Sequence, residues 1–205
     1  MKHLSMAAAA LLAATSTHAS TILFASDPGI EGLGAFTGSM EWSYLGGDTG
    51  SLTVTLTNTS PAGNGGFLTG FVFNVRPAVS VVYDGAMDGW SAVFDESAVP
   101  FGVFDTGAAL GGDWLGGGSP LGGLGVGSTW SFGFSVTGES SVLAAIVAHD
   151  FFDESAGIGF AARFRGFADG GSDKVTSTLP GPATLAAPLF AAVLGRSRRR
   201  GVRRN

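Results

Sequence analysis

The sequence contains no cysteine. Disulfides, thiolate-bound zinc, iron–sulfur clusters and cysteine nucleophiles are therefore excluded. Charge is also scarce: Asp, Glu, Lys and Arg make up 13% of the 205 residues, about half the usual share. Histidine occurs three times, and His3 and His18 sit in an N-terminal segment that reads as a leader. That leaves His149 alone for acid–base work, beside Asp150. Adjacent residues on an extended strand point to opposite faces, and no G-x-S-x-G elbow accompanies them. His149 is expected to be structural or on the surface. Positive charge is concentrated at the ends. The formal net charge is −5, and setting aside Lys2 and the six arginines of the last ten residues, seven positive charges, takes the remainder to −12. Its basic residues are Arg76, Arg163, Arg165 and Lys174. A body this acidic repels phosphate backbones, so nucleic acid is not an expected partner.

What the chain does have is glycine, 34 residues of it, and an apolar fraction of 45%, enough for a packed core. Ser51 to Thr59 reads SLTVTLTNT, with Leu52, Val54 and Leu56 alternating with threonines. Thr129 to Thr137 reads TWSFGFSVT and alternates in the same way. A period of two marks half-buried strands. Further strands are expected at Ile22–Ala25, Ala35–Leu45, Phe67–Val75, Val79–Asp84, Trp90–Phe94, Val103–Asp105, Val142–Ala148 and Ile158–Phe167, with Val142–Ala148 also open to a helix because its alanines fit either period. Turn signals at Asn58–Pro61, Gly63–Gly66, Asp84-Gly85 and Asp169–Gly171 punctuate them. About ten short strands at this spacing predict an all-β domain over residues 20–178, an antiparallel β-sandwich of jelly-roll type. Nine of the 17 residues from Gly111 to Gly127 are glycine. This segment leads into a strand and lacks a GK[ST] signature, so it is expected to be a flexible connection rather than a phosphate cradle.

The two ends read as addresses. Residues 1–19, MKHLSMAAAALLAATSTHA, carry a basic start, an apolar run and a small–x–small site. They predict a signal peptide cut between Ala19 and Ser20. Residues 179–205 give Pro180-Gly181-Pro182, an apolar run to Leu194 and an arginine cluster with Arg196, Arg198, Arg199 and Arg200. After an export signal this is a stop-transfer arrangement, with the arginines kept on the cytoplasmic side. Pro-x-Pro, a short apolar segment and terminal arginines resemble the PEP-CTERM sorting domain of bacterial envelope proteins, with Gly181 standing where that motif usually has glutamate. The resemblance implies transient insertion of an apolar C-terminal helix in the inner membrane. It also implies processing by an exosortase-like enzyme, after handling by the export machinery. Leu179, Pro180 and Gly181 also resemble the start of a sortase signal, which lacks its Thr-Gly pair here. Within the body, Leu56–Pro61, Asn64–Phe67, Phe101–Asp105, Ala162–Phe167 and Gly170–Lys174 resemble exported bacterial proteins of the same sorting class. That likeness implies destination, not catalysis.

Candidate chemistry in the body is thin. Asp150, Asp153 and Glu154 cluster as DFFDE, and Asp169 and Asp173 bracket two glycines and a serine. Either group offers oxygens for calcium, the one cofactor worth expecting, although neither has EF-hand spacing. A glycoside hydrolase needs two carboxylates about 5–10 Å apart, for which Asp95/Glu96 and the DFFDE cluster are the candidates. Arg163 and Arg165 lie two apart on an expected strand and so share a face. They are expected to pair with acidic neighbours or to recognise an anionic sugar. Trp114, with Trp42 and Trp90, is a candidate for stacking on carbohydrate, although aromatics at strand spacing are more often core. These features point to an exported, non-catalytic structural or adhesive envelope protein with exopolysaccharide as a candidate partner. The alternatives are a carbohydrate- or calcium-binding module and, more distantly, a carboxylate-dependent glycan hydrolase.

Overall fold

The alternation in SLTVTLTN becomes strand geometry: Leu52, Val54 and Leu56 are fully buried, while Ser51, Thr53, Thr55 and Thr57 lie half-buried on the opposite face. The computed structural model describes residues 18–75, 79–116, 118–154 and 158–179. Most of the expected signal peptide, Arg76, and the expected sorting signal (Pro180, Gly181, Pro182, Arg196, Arg198, Arg199 and Arg200) lie outside the described residues. Among the described residues, no helix is long and apolar enough to cross a membrane.

The strands are β1 (Ala19–Ser26), β2 (Phe36–Gly46), β3 (Thr49–Asn58), β4 (Gly65–Phe73), β5 (Val79–Tyr83), β6 (Trp90–Ser97), β7 (Val103–Leu110), β8 (Leu124–Gly125), β9 (Thr129–Gly138), β10 (Phe160–Phe167) and β11 (Ser172–Thr178). A single turn of helix, α1 (Ser140–Leu143), follows β9. The all-β, antiparallel expectation holds. The strands do not divide into two separate sheets, however. They form one sheet in the order β5-β9-β3-β2-β1-β11-β10-β4-β7-β6, with β8 added to β4. The sheet curls until its edge strands β5 and β6 lie against each other. The buried Thr106 hydroxyl on β7 donates to the Val81 carbonyl on β5 at 3.1 Å across the gap. The result is a nearly closed barrel. Closure is the alternative to leaving long unpaired edges that invite aggregation.

Aromatic rings fill the interior. Phe71 on β4 has the rings of Phe73, Trp90, Phe132, Phe134 and Phe160 around it at centroid distances of 4.8–6.4 Å. Glycine makes room where two walls approach. A Cβ on Gly50 would overlap the Trp42 indole, and one on Gly107 would collide with the Phe71 carbonyl oxygen across the β4–β7 pair.

One local expectation is settled and two change. Val142–Ala148, open to either a strand or a helix by its pattern, takes the helical course: its first two residues end α1 and the rest forms the following turn. Leu143 and Ile146, three residues apart, are both buried in the main core with Ala148, Phe151 and Phe152. Ser172–Thr178, for which no strand was expected, is β11 and sits in the middle of the sheet. The Gly111–Gly127 segment is not a free connection. Trp114, 1% exposed, packs into a second small core with Val72, Val93, Phe104 and Ala161, separate from the barrel interior. β8 then pairs with β4 at Phe67 and Leu68.

Candidate functional site

On β10, Phe160, Ala162 and Phe164 face the main core, so the intervening Arg163 and Arg165 share the other face. The turn through Ala168–Gly171 returns the chain as β11. Its register sets Lys174 directly opposite Arg163, and Ser172 opposite Arg165. Three of the four basic residues of the body therefore converge on two neighbouring strands. Between Arg163 and Phe164 the pairing of β10 with β4 shifts register, which marks a bulge there.

Arg163, Arg165 and Ser172 border an open hollow of about 480 Å³ that Leu115, Gly116 and Pro120 also line. Arg165 donates from Nη2 to the Gly118 carbonyl at 3.0 Å. Gly116 lies so close to its guanidinium that a Cβ there would come within 2.5 Å of Nη1. Lys174 donates from Nζ to the Val99 carbonyl at 2.6 Å. Arg163 is half-buried, and its Nε is buried with no hydrogen-bond partner. Burial, and then the charge of Arg165, lower the Arg163 pKa, while Asp113 acts in the opposite direction. Burial, and then Arg163, lower that of Lys174. Glu96 on β6 is raised by burial and then by Asp113. The hollow is thus a cationic site whose Arg163 also feels the charge of Asp113, inside an acidic body.

The structure brings Arg163, Arg165 and Trp114 into one neighbourhood but gives them different roles. The arginines border the hollow, while Trp114 lies beneath the surface as core and cannot stack on a ligand. Trp42 and Trp90 are likewise buried, as strand spacing suggested. The calcium candidates are not gathered: among the described residues no group of three or more His, Asp or Glu is placed to hold a metal ion. Asp150 accepts the Val147 N–H at 2.9 Å, and Glu154 accepts the Leu179 N–H at 2.8 Å. Asp173 is 2% exposed and accepts the backbone N–H groups of Glu31, Leu33 and Gly34. It anchors a loop. Asp95, at φ 51°, is exposed on β6 beside Glu96. His149 is exposed in the turn 148–151. At the expected cleavage point, Ala19 opens β1 opposite Ser43, and the Ser20 hydroxyl accepts the Ala148 N–H at 2.7 Å.

Sequence reasoning missed Lys174 as a member of the basic group. The signal was present in Asp169-Gly170-Gly171, a hairpin turn that places residues 163 and 174 opposite each other once β11 is recognised as a strand. Comparison with protein-family models, with curated proteins and with solved structures finds no match to this chain.

Proposed function

We propose that the protein is an exported component of the cell envelope or extracellular matrix with a structural or adhesive role and no catalytic activity, delivered by an N-terminal signal peptide and a C-terminal sorting tail. The observation that carries this reading is where the sheet starts and stops. β1 opens at Ala19 and β11 closes at Thr178, so removal of residues 1–19 and of the tail would take one residue from the described sheet. Ser20 to Ala25 would keep their partners on β2. Pro180 and Pro182 carry no N–H with which a ladder could continue past β11.

The jelly-roll form belongs to the same proposal. The pairing is nested like a long hairpin rolled up: β1 with β11, β3 with β9, β4 with β7, and β5 against β6 across the gap.

The test is a terminal peptide map of the protein from its producing cells, fraction by fraction. Envelope or secreted protein beginning near Ser20 and ending near Pro180–Pro182 supports the reading. Inner-membrane protein that keeps Arg196–Arg200 refutes processing of the tail. One observation favours a second reading, a surface carbohydrate-binding module: the cationic hollow between β10 and β11.

A further inference from the structure

The clustering of Arg163, Arg165 and Lys174 costs the fold stability. Like charges set directly opposite across a strand pair repel, and both Arg163 and Lys174 are partly withdrawn from the water that would screen them. Asp173, the carboxylate nearest in sequence to Lys174, is occupied with three backbone N–H groups. Asp113 is the acidic group whose field reaches Arg163. The Nε of Arg163 is buried without an acceptor, and the residue itself lines the open hollow.

We propose that the hollow between β10, β11 and the wall of Leu115, Gly116 and Pro120 binds an anionic sugar, with the ring carboxylate of a hexuronate-type residue in a glycan chain received by Arg163 and Arg165, while Lys174, opposite Arg163 on β11, adds positive charge nearby. The proposal rests on the carbohydrate-binding reading above and names its ligand class. The planar guanidinium fork matches a planar carboxylate in two hydrogen bonds. At about 480 Å³ the hollow is in the range of small-molecule sites and far exceeds what a lone oxyanion needs. Pro120 and the exposed Leu115 offer an apolar wall for the C–H face of a sugar ring, and Gly116, Gly170 and Gly171 let a ligand approach the backbone. Because the hollow is open, an internal residue of a longer chain can enter while its neighbours continue outward.

The test is calorimetric titration of the full-length chain with an oligogalacturonate of defined length, a neutral oligogalactan of the same length, and inorganic phosphate. Saturable binding of the oligogalacturonate is expected, weakened by salt and weakened about tenfold or more by Arg163→Gln, the loss typical of a charge-assisted contact. Arg163→Lys keeps the charge and loses the fork. It is expected to give an intermediate affinity, and it decides the matter if Arg163→Gln fails to fold. Equal binding of the neutral oligomer overturns the proposal, as does affinity unchanged by either variant. Phosphate competing as well as the uronate, mole for mole, overturns the sugar assignment in favour of a free oxyanion site. Absence of uronate binding, with the terminal peptide map of the cell-derived protein still ending at Ser20 and Pro180–Pro182, removes the hollow as a glycan site and leaves the export reading standing.

Discussion

Asp173→Ala removes the acceptor of three backbone N–H groups at once: Glu31 at 3.1 Å on Oδ1, and Leu33 and Gly34 at 2.9 and 3.0 Å on Oδ2. Glu31 is exposed, so its N–H can turn to water, whereas Gly34 is buried and Leu33 half-buried. Counting only these two, at about 1.5–3 kcal/mol for each hydrogen bond to a charged group, the loss is about 3–6 kcal/mol. That is a large part of the 5–15 kcal/mol typical of a domain. Asp173→Asn keeps one oxygen, which can serve Leu33 and Gly34 while the amide faces Glu31. Its cost should fall to about 1–3 kcal/mol. The chain wraps the carboxylate closely, and a Cβ on Gly29 would overlap it. Gly29→Ala is therefore destabilising alone but nearly neutral when added to Asp173→Ala, a non-additivity expected of groups in contact. Urea unfolding reads all four proteins, through midpoints at unchanged m-value. Hydrogen exchange at the Leu33 and Gly34 amides localises the effect. A loss below about 1 kcal/mol for Asp173→Ala, or simple additivity with Gly29→Ala, refutes the reasoning.

Gly107→Ala drives a methyl into the Phe71 carbonyl and within 2.8 Å of Val72 Cα. Because backbone cannot yield as a side-chain tip does, it should destabilise by about 1–3 kcal/mol or more, seen in the urea midpoint. Thr106→Val removes the donor that bridges to β5 and leaves the Val81 carbonyl unpaired at the gap. A loss of about 1–3 kcal/mol with faster hydrogen exchange in β5 is expected, and unchanged exchange would show that the bridge does not hold the barrel closed. For Glu96, a raised pKa means the folded state keeps a proton that the unfolded chain has released. Stability therefore declines as pH rises from its ordinary value of 4.5 into the raised range. Glu96 is largely solvated, so the decline is small, and Asp113→Asn should flatten it in a pH series of urea midpoints. For Lys174 the sign is opposite. The native state releases its proton first, so stability rises with pH from the lowered pKa towards 10.5. Arg163→Gln should reduce that rise and raise stability at neutral pH by relieving repulsion, measured as a higher Tm.

Local pattern in the chain was sufficient for nine of the strands, because period-two alternation depends only on neighbours in sequence. SLTVTLTN and TWSFGFSVT state which face is apolar before any partner is known. The same holds for the absence of thiol chemistry and for the pairing of Arg163 with Arg165 on one face of β10. It does not hold for β11. Ser172–Thr178 carries one large apolar residue, Val175, and its other inward positions are Asp173 and Ser177. Polar groups can be buried there because Glu31, Leu33, Gly34 and the Ala25 carbonyl meet them. Those partners lie some 140–150 residues away in the chain, beyond the reach of any local pattern. Trp114 is a similar case. A tryptophan in a glycine-rich loop reads as available for a ligand until the outer surface of β4, β7 and β10 is seen to need a cover. The cationic hollow required both levels. Sequence alternation put two arginines on one face, and only the tertiary structure placed Lys174 opposite Arg163 and brought Leu115, Gly116 and Pro120 to the hollow, because register between strands is decided by the closed sheet as a whole.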